Sequence, residues 1–189
     1  MSRARLAPAE RAALHDIAWA AIRDKILGSG ELVEVRGRVG LTPALLDPGA
    51  AFVTLKAPER PGGPPFLRGC IGTIEPAGPL HETVARFAVE SACGDPRFPA
   101  LTPAELDGLE IEISVLGPLH GVDGPEAIVP GVHGVVLERA THRALFLPQV
   151  AVEQRWGLTT FLEHLALKAG LGRDGWRGAR LSVFEAEVF

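Results

Sequence analysis

The stretch Leu109–Gly117, LEIEISVLG, alternates apolar and polar side chains more strictly than any other part of the chain. With a repeat of two, Ile111, Ile113 and Val115 fall on one side of an extended strand, and Glu110, Glu112 and Ser114 on the other. Such a strand needs an apolar cover on one face and leaves the other wet or lining a cleft.

Around it, strand and helix patterns follow one another without regular βαβ alternation, so the expected class is α+β: a mixed or antiparallel sheet with helices packed on it. Pro8 suits a first helical turn, Leu14, Ile17 and Ala21 follow at helical spacing, and Gly28-Ser29-Gly30 ends an N-terminal helix over 8–29. Ala51–Ala57 and Phe66–Thr73 read as strands that pair as an antiparallel hairpin across the turn-rich loop Pro58–Pro65. Pro79–Gly94 places Leu80, Val84, Phe87, Ala88 and Ser91 on one helical face, with Gly94 as cap. Thr102 and Glu105 form a capping box, and Gly117–Gly131 reads as a Gly- and Pro-rich loop. Two short strands, His133–Glu138 and Ala144–Pro148, precede a helix from Leu158 to about Ala169 that carries Phe161, Leu162, Leu165 and Ala166. A strand over 180–189 closes the chain, which is expected to form a single domain over 1–189.

Composition removes several function classes. The net charge of −4 gives no basic field for nucleic acid. No apolar run approaches the 18 or so residues needed to span a bilayer, and the first thirty residues lack the apolar core of a secretory signal. The two cysteines, Cys70 and Cys93, form no disulfide framework and match no zinc spacing. A cytoplasmic protein with reduced thiols and no metal or cofactor is the expectation.

The residues with chemical content are few. In FLRGCIGT the strand pattern puts Arg68 and Cys70 on one face, where a guanidinium favours thiolate over thiol. Gly69 and Gly72 leave room for a ligand or a second backbone. Two readings of Cys70 stand side by side: a reactive thiol, or a small core hydrophobe beside glycines that permit close packing. Asp95-Pro96 begins a type I turn that holds Arg97, either to grip an anion or to cap helix carbonyls. His133 at a strand start is an acid/base candidate or a hydrogen-bonded structural residue. Gln149, beside Pro148, orients a ligand or satisfies backbone freed by the proline. Dinucleotide, P-loop, H-E-x-x-H and G-x-S-x-G patterns are absent.

Taken in order, FVTLK, LRGCIGT, DPRFPAL, LEIEISVLGP, HGVVLE, LFLPQVAVEQRW and FLEHLALKAGL resemble the AMMECR domain family, whose prokaryotic members are called AmmeMemoRadiSam system protein A. The likeness runs from about Phe52 to Trp176, and more weakly to Phe189. LRGCIGT and LPQVA are its most specific parts. The resemblance implies a compact fold in two unequal lobes with a cleft between them. It also implies a genomic association with a Memo-type protein, similar to extradiol dioxygenases, and with a radical SAM enzyme. Carried over by position, the characteristic residues are Arg68, Gly69, Cys70, Gly72, Asp95, Arg97, His133 and Gln149. Two positions depart from the pattern: Ala166 replaces a frequent cysteine, and Gly157 replaces an Asp or Asn helix cap.

Three functional hypotheses follow. In the first, the protein binds a small anionic ligand through Arg68 and Arg97, with Gly69, Gly72, Asp95 and Gln149 around it. Cys70 is then nucleophile or carrier, His133 is acid/base, and the protein acts with the Memo-type and radical SAM partners. In the second, it is a non-enzymatic interaction module with a structural Cys70. The third, a cysteine hydrolase, has no local Cys/His signature behind it.

Overall fold

The computed structural model describes residues 5–58 and 63–189. Its strands are β1 (Ala50–Pro58), β2 (Pro65–Gly72), β3 (Glu110–Leu116), β4 (His120–Val122), β5 (Gly134–Arg139), β6 (His142–Phe146), β7 (Arg180–Phe184) and β8 (Ala186–Val188). The helices are α1 (Pro8–Leu27), α2 (Glu31–Arg38), α3 (Pro43–Leu46), α4 (Leu80–Cys93), α5 (Pro148–Glu153) and α6 (Leu158–Lys168). They divide into two compact units, Ala4–Leu116 with Glu187–Phe189, and Gly117–Ala186. The expected α+β class with antiparallel sheets holds for both. Part of the loop expected over Pro58–Pro65 lies outside the described residues.

The first unit carries a sheet in the order β2-β1-β3-β8, with β1 antiparallel to both β2 and β3. The alternation that singled out β3 does what the pattern requires: Ile113 and Val115 are buried, together with Val53 and Leu55 of β1. They pack against Leu14, Ala18 and Ile22 of α1 and against Leu80, Val84, Phe87 and Ala88 of α4. Each such large apolar side chain, fully buried, contributes on the order of 1.5–3 kcal/mol. The face expected to be wet is so only in part, because Ser114 is fully buried while Glu110 is exposed.

α1 starts where Pro8 predicts, with Glu10 accepting the Ala7 N–H at 2.7 Å. It ends at Gly28, whose φ of 67° favours glycine. α4 ends as expected at Gly94. α2 has no counterpart in the sequence reading; it is a short, polar helix with Gly37 inside it and Val35 as its buried residue.

The second unit carries a sheet in the order β4-β7-β5-β6. Val135, Leu137 and Leu181 pack with Phe161, Leu162, Leu165 and Ala166, the face assigned to α6 from its spacing. Three details differ from expectation. The supposed loop after Gly117 contains β4. The closing strand is two strands, β7 and β8, in different sheets. Pro148 begins α5 rather than ending a strand, because a residue without an N–H fits the first turn of a helix.

β2 is an edge strand laid close against α4. A Cβ added at Gly69 would stand 2.0 Å from the Ser91 carbonyl oxygen. The Ser91 hydroxyl donates to the Val53 carbonyl at 2.7 Å and accepts the Ile71 N–H at 2.8 Å, tying helix to hairpin. Gly69→Ala should therefore cost roughly 1–3 kcal/mol or more, since backbone has to move. Gly37→Ala, in an open helical position, should stabilise by about 0.5–1 kcal/mol. Urea midpoints of the two variants should move in opposite directions.

Candidate functional site

The motif residues of the first unit meet where β2, the end of α4 and the turn after it converge. The β1–β2 register pairs Leu55 with Gly69 and Lys56 with Leu67, so Arg68 is the extra residue of a bulge. A bulge re-aims its side chain, which breaks the simple alternation that put Arg68 and Cys70 on one face. The Arg68 Nε donates to Glu105 at 2.7 Å, Nη1 to the Pro99 carbonyl at 2.8 Å, and Nη2 to the Ala100 carbonyl at 3.5 Å. Its side chain is only 14% exposed. Glu105 also accepts the Thr102 N–H and hydroxyl, each at 2.9 Å, so the expected capping box is drawn into the same network. Burial pushes the Glu105 carboxyl up, and the bonds from Arg68 and Thr102 together outweigh it, leaving the acid more acidic than usual.

Asp95 is the centre of the second network. The predicted turn forms, with the Phe98 N–H donating to the Asp95 carbonyl at 3.1 Å. The Asp95 side chain is 1% exposed. Oδ1 accepts the Arg97 N–H at 3.1 Å and Nε–H at 2.9 Å; Oδ2 accepts Arg97 Nη2 at 2.6 Å and the Cys70 N–H at 2.9 Å. The Arg97 hydrogen bonds hold the carboxyl far below the ordinary range, against the opposing effect of burial, and the Cys70 N–H adds to them. Arg97 is in turn held protonated, first by Asp95 and more weakly by the charge of Cys70. Its Nη2 also reaches the Cys70 carbonyl at 3.3 Å, while its side chain stays 53% exposed.

Cys70 is thus pinned through both of its backbone polar groups, and the residue as a whole is partly exposed. Opposite it on β1, the Thr54 hydroxyl donates to Sγ at 3.2 Å. Thr54 was not singled out in the sequence; only the strand register, which local pattern does not supply, places it there. Arg68 and Arg97 both approach the Phe98 ring, at 5.9 and 5.4 Å from its centroid. Gly72 packs against β1, where an added Cβ would lie 2.4 Å from the Ala51 carbonyl oxygen.

His133 and Gln149 belong to the second unit. His133 Nδ1 accepts the Val129 N–H at 3.1 Å, so the neutral ring carries its proton on Nε2. The ring borders a pocket of about 110 Å³ that His120, Phe184 and Glu185 also line. Gln149 stands in the first turn of α5. Among the described residues no group of three or more His, Cys, Asp or Glu is arranged to hold a metal ion. No helix among them is long and apolar enough to cross a membrane.

Fold and site together define an α+β protein in which a buried carboxylate locks a half-exposed arginine beside a cysteine on an edge strand. A family model described as AMMECR1 matches residues 15–189, and the chain belongs to that family. Protein MK0488 of Methanopyrus kandleri is 42% identical over 172 residues, covering 86% of this chain and 80% of its own. A protein of Thermofilum pendens is 40% identical over 159 residues, covering 78% and 75%. The crystal structure of the uncharacterized protein PH0010 from Pyrococcus horikoshii aligns with a TM-score of 0.82 at 36% identity, covering 93% of this chain and 88% of that one.

The locked carboxylate makes stability depend on pH in a defined direction. A carboxyl whose folded pKa is depressed contributes stability that is fully present above its unfolded pKa of about 3.9 and is lost as pH falls toward the folded value. Asp95→Asn keeps the shape without the charge. It should cost roughly 1–3 kcal/mol at pH 7, nearer the low end because Arg97 is half-exposed. Urea unfolding from pH 7 to pH 2 should show the difference from wild type shrinking below about pH 4.

Proposed function

We propose that this AMMECR1-family protein is a ligand-binding, thiol-using component that acts with a Memo-type protein and a radical SAM enzyme. In this reading a small anionic ligand docks at Arg97 and Cys70 serves as nucleophile or carrier. The observation that carries it is the geometry of Arg97: Asp95 fixes one edge of the guanidinium, half the side chain faces solvent, and the charge is felt at Cys70. Attraction is mutual, so the same guanidinium favours the thiolate that nucleophilic chemistry needs. The Thr54 hydroxyl, donating to Sγ, favours it as well. Arg68 is a further ligand contact of this proposal, and it also holds the 99–105 segment to β2 through Glu105. His133 is the acid/base residue of this proposal, with the proton on Nε2, and Gln149 is a ligand contact. The partner half rests on the family resemblance.

A second reading has its own support. Cys70 lies on an edge strand, and its N–H and C=O are both taken by the Asp95–Arg97 pair. That arrangement suits a module whose motif closes a sheet edge while another surface docks partners.

Iodoacetamide labelling against pH, mapped by mass spectrometry in a Cys93→Ala background, separates the two. The first reading expects Cys70 to alkylate in the folded protein with a midpoint below the free-thiol value of about 8.5. Arg97→Ala should raise that midpoint by roughly half to one unit. A Cys70 that stays unlabelled until the protein unfolds, or whose midpoint ignores Arg97, establishes the second.

A further inference from the structure

Away from Cys70, α2, the turn before α4 and the first turns of α4 border an open pocket of about 440 Å³ lined by Arg36, Gly78, Glu82, Arg86 and Phe87. Arg36 stands in the last turn of α2, and its Nε is buried without a hydrogen-bond partner. A buried charged donor left unsatisfied is costly and calls for an acceptor. Among the described residues neither Arg36 nor Arg86 has a carboxylate within ion-pair distance, unlike Arg23, Arg68 or Arg97. Arg86 lies along the Phe87 ring, 5.1 Å from its centroid.

Apart from the Glu82 carboxylate, the charged groups of the walls are donors. The Gly78 carbonyl already accepts the Gly49 N–H at 3.0 Å and the Thr83 hydroxyl at 3.3 Å. Gly78 has a φ of 148°, and a Cβ built there would meet nothing within 4 Å, so the approach to its backbone is open. The pocket lies at the start of α4, the positive end of a 14-residue helix. Two guanidiniums against the one carboxylate of Glu82 leave a net positive charge. The charge of Arg36 also reaches His81, which is 5% exposed with an unpartnered Nδ1; burial first, and then Arg36, push that imidazole toward its neutral form against Glu82.

We propose that this pocket is a second ligand site, distinct from Cys70 and Arg97, which binds a small phosphorylated organic molecule through Arg36 and Arg86. A carboxylate has two oxygens and is satisfied by one guanidinium fork; a phosphoryl group presents three and engages two forks at once. The pocket exceeds the size of a phosphate, and Phe87 with the stem of Arg86 provides an apolar surface for the rest of the molecule.

The test is calorimetric titration of the full chain with inorganic phosphate and with phenyl phosphate, at ionic strength held constant with sodium chloride. Both should bind saturably, phenyl phosphate more tightly. Arg86→Ala and Arg36→Lys should each weaken binding roughly tenfold, with circular dichroism confirming the fold. Glu82→Gln should tighten it severalfold, since it removes the opposing charge, and Arg97→Ala should leave it unchanged. No saturable binding, binding indifferent to both arginine variants or to Glu82→Gln, or binding lost in Arg97→Ala would each overturn the assignment. Failure here leaves the Cys70 labelling result untouched, so the two proposals stand or fall separately.

Discussion

The Asp95 carboxylate is the interaction on which the motif region depends. Taking a charge out of water costs several kcal/mol unless its oxygens are met by donors, and here each oxygen receives two. Three donors come from Arg97 and one from the backbone of Cys70. The carboxylate therefore joins the turn after α4 to the edge of the sheet, and it does so only in its ionised form. Removing it would leave the Cys70 N–H without an acceptor and release the guanidinium that covers the Cys70 carbonyl. Position of the thiol, orientation of the cation and closure of the strand edge share one cause.

The same economy explains LRGCIG. An edge strand with open N–H and C=O groups invites pairing with another chain. Here Asp95 takes the Cys70 N–H and Arg97 the Cys70 carbonyl, while on the inner side Ser91 bridges the Ile71 N–H to the Val53 carbonyl of β1. Gly69 lets α4 come near enough for Ser91 to reach. The bulge at Arg68 turns its guanidinium toward Glu105 and the carbonyls of residues 99 and 100. Most of the motif thus serves to position its neighbours, and the outer edge of Arg97 stays exposed to solvent.

Much of this was legible in the residues, and the remainder has identifiable physical reasons. The buried faces of α4 and α6, the β1–β2 hairpin, the turn at Asp95 and the caps at Gly28 and Gly94 follow from periodicity and local backbone preference, which sequence carries directly. α2 was missed because a short polar helix with an internal glycine has no strong apolar period; its stability comes from Val35 packing on α1 and α4. The bulge was invisible because register is a property of two strands. Its consequence is that Arg68 ion-pairs with Glu105, while Arg97 is the arginine that bonds to the backbone of Cys70. The break at Glu185 that sends β7 and β8 to different sheets leaves no local sign, since both halves alternate well.

Cys70 shows why structural and chemical readings of one residue need not compete. Its contribution to the fold passes through N–H and C=O, groups that every non-proline residue carries. The chemistry proposed for it would pass through Sγ, which accepts a hydrogen bond from the Thr54 hydroxyl of the facing strand and lies in the field of Arg97. A serine at this position preserves the backbone bonds to Asp95 and Arg97 and keeps a polar group within reach of Thr54, while removing the thiol. Edge closure is therefore indifferent to the sulfur, and any property of the protein that requires sulfur at position 70 reports on chemistry. The structural role and the proposed chemical one occupy different atoms, and the carboxylate of Asp95 bears on both.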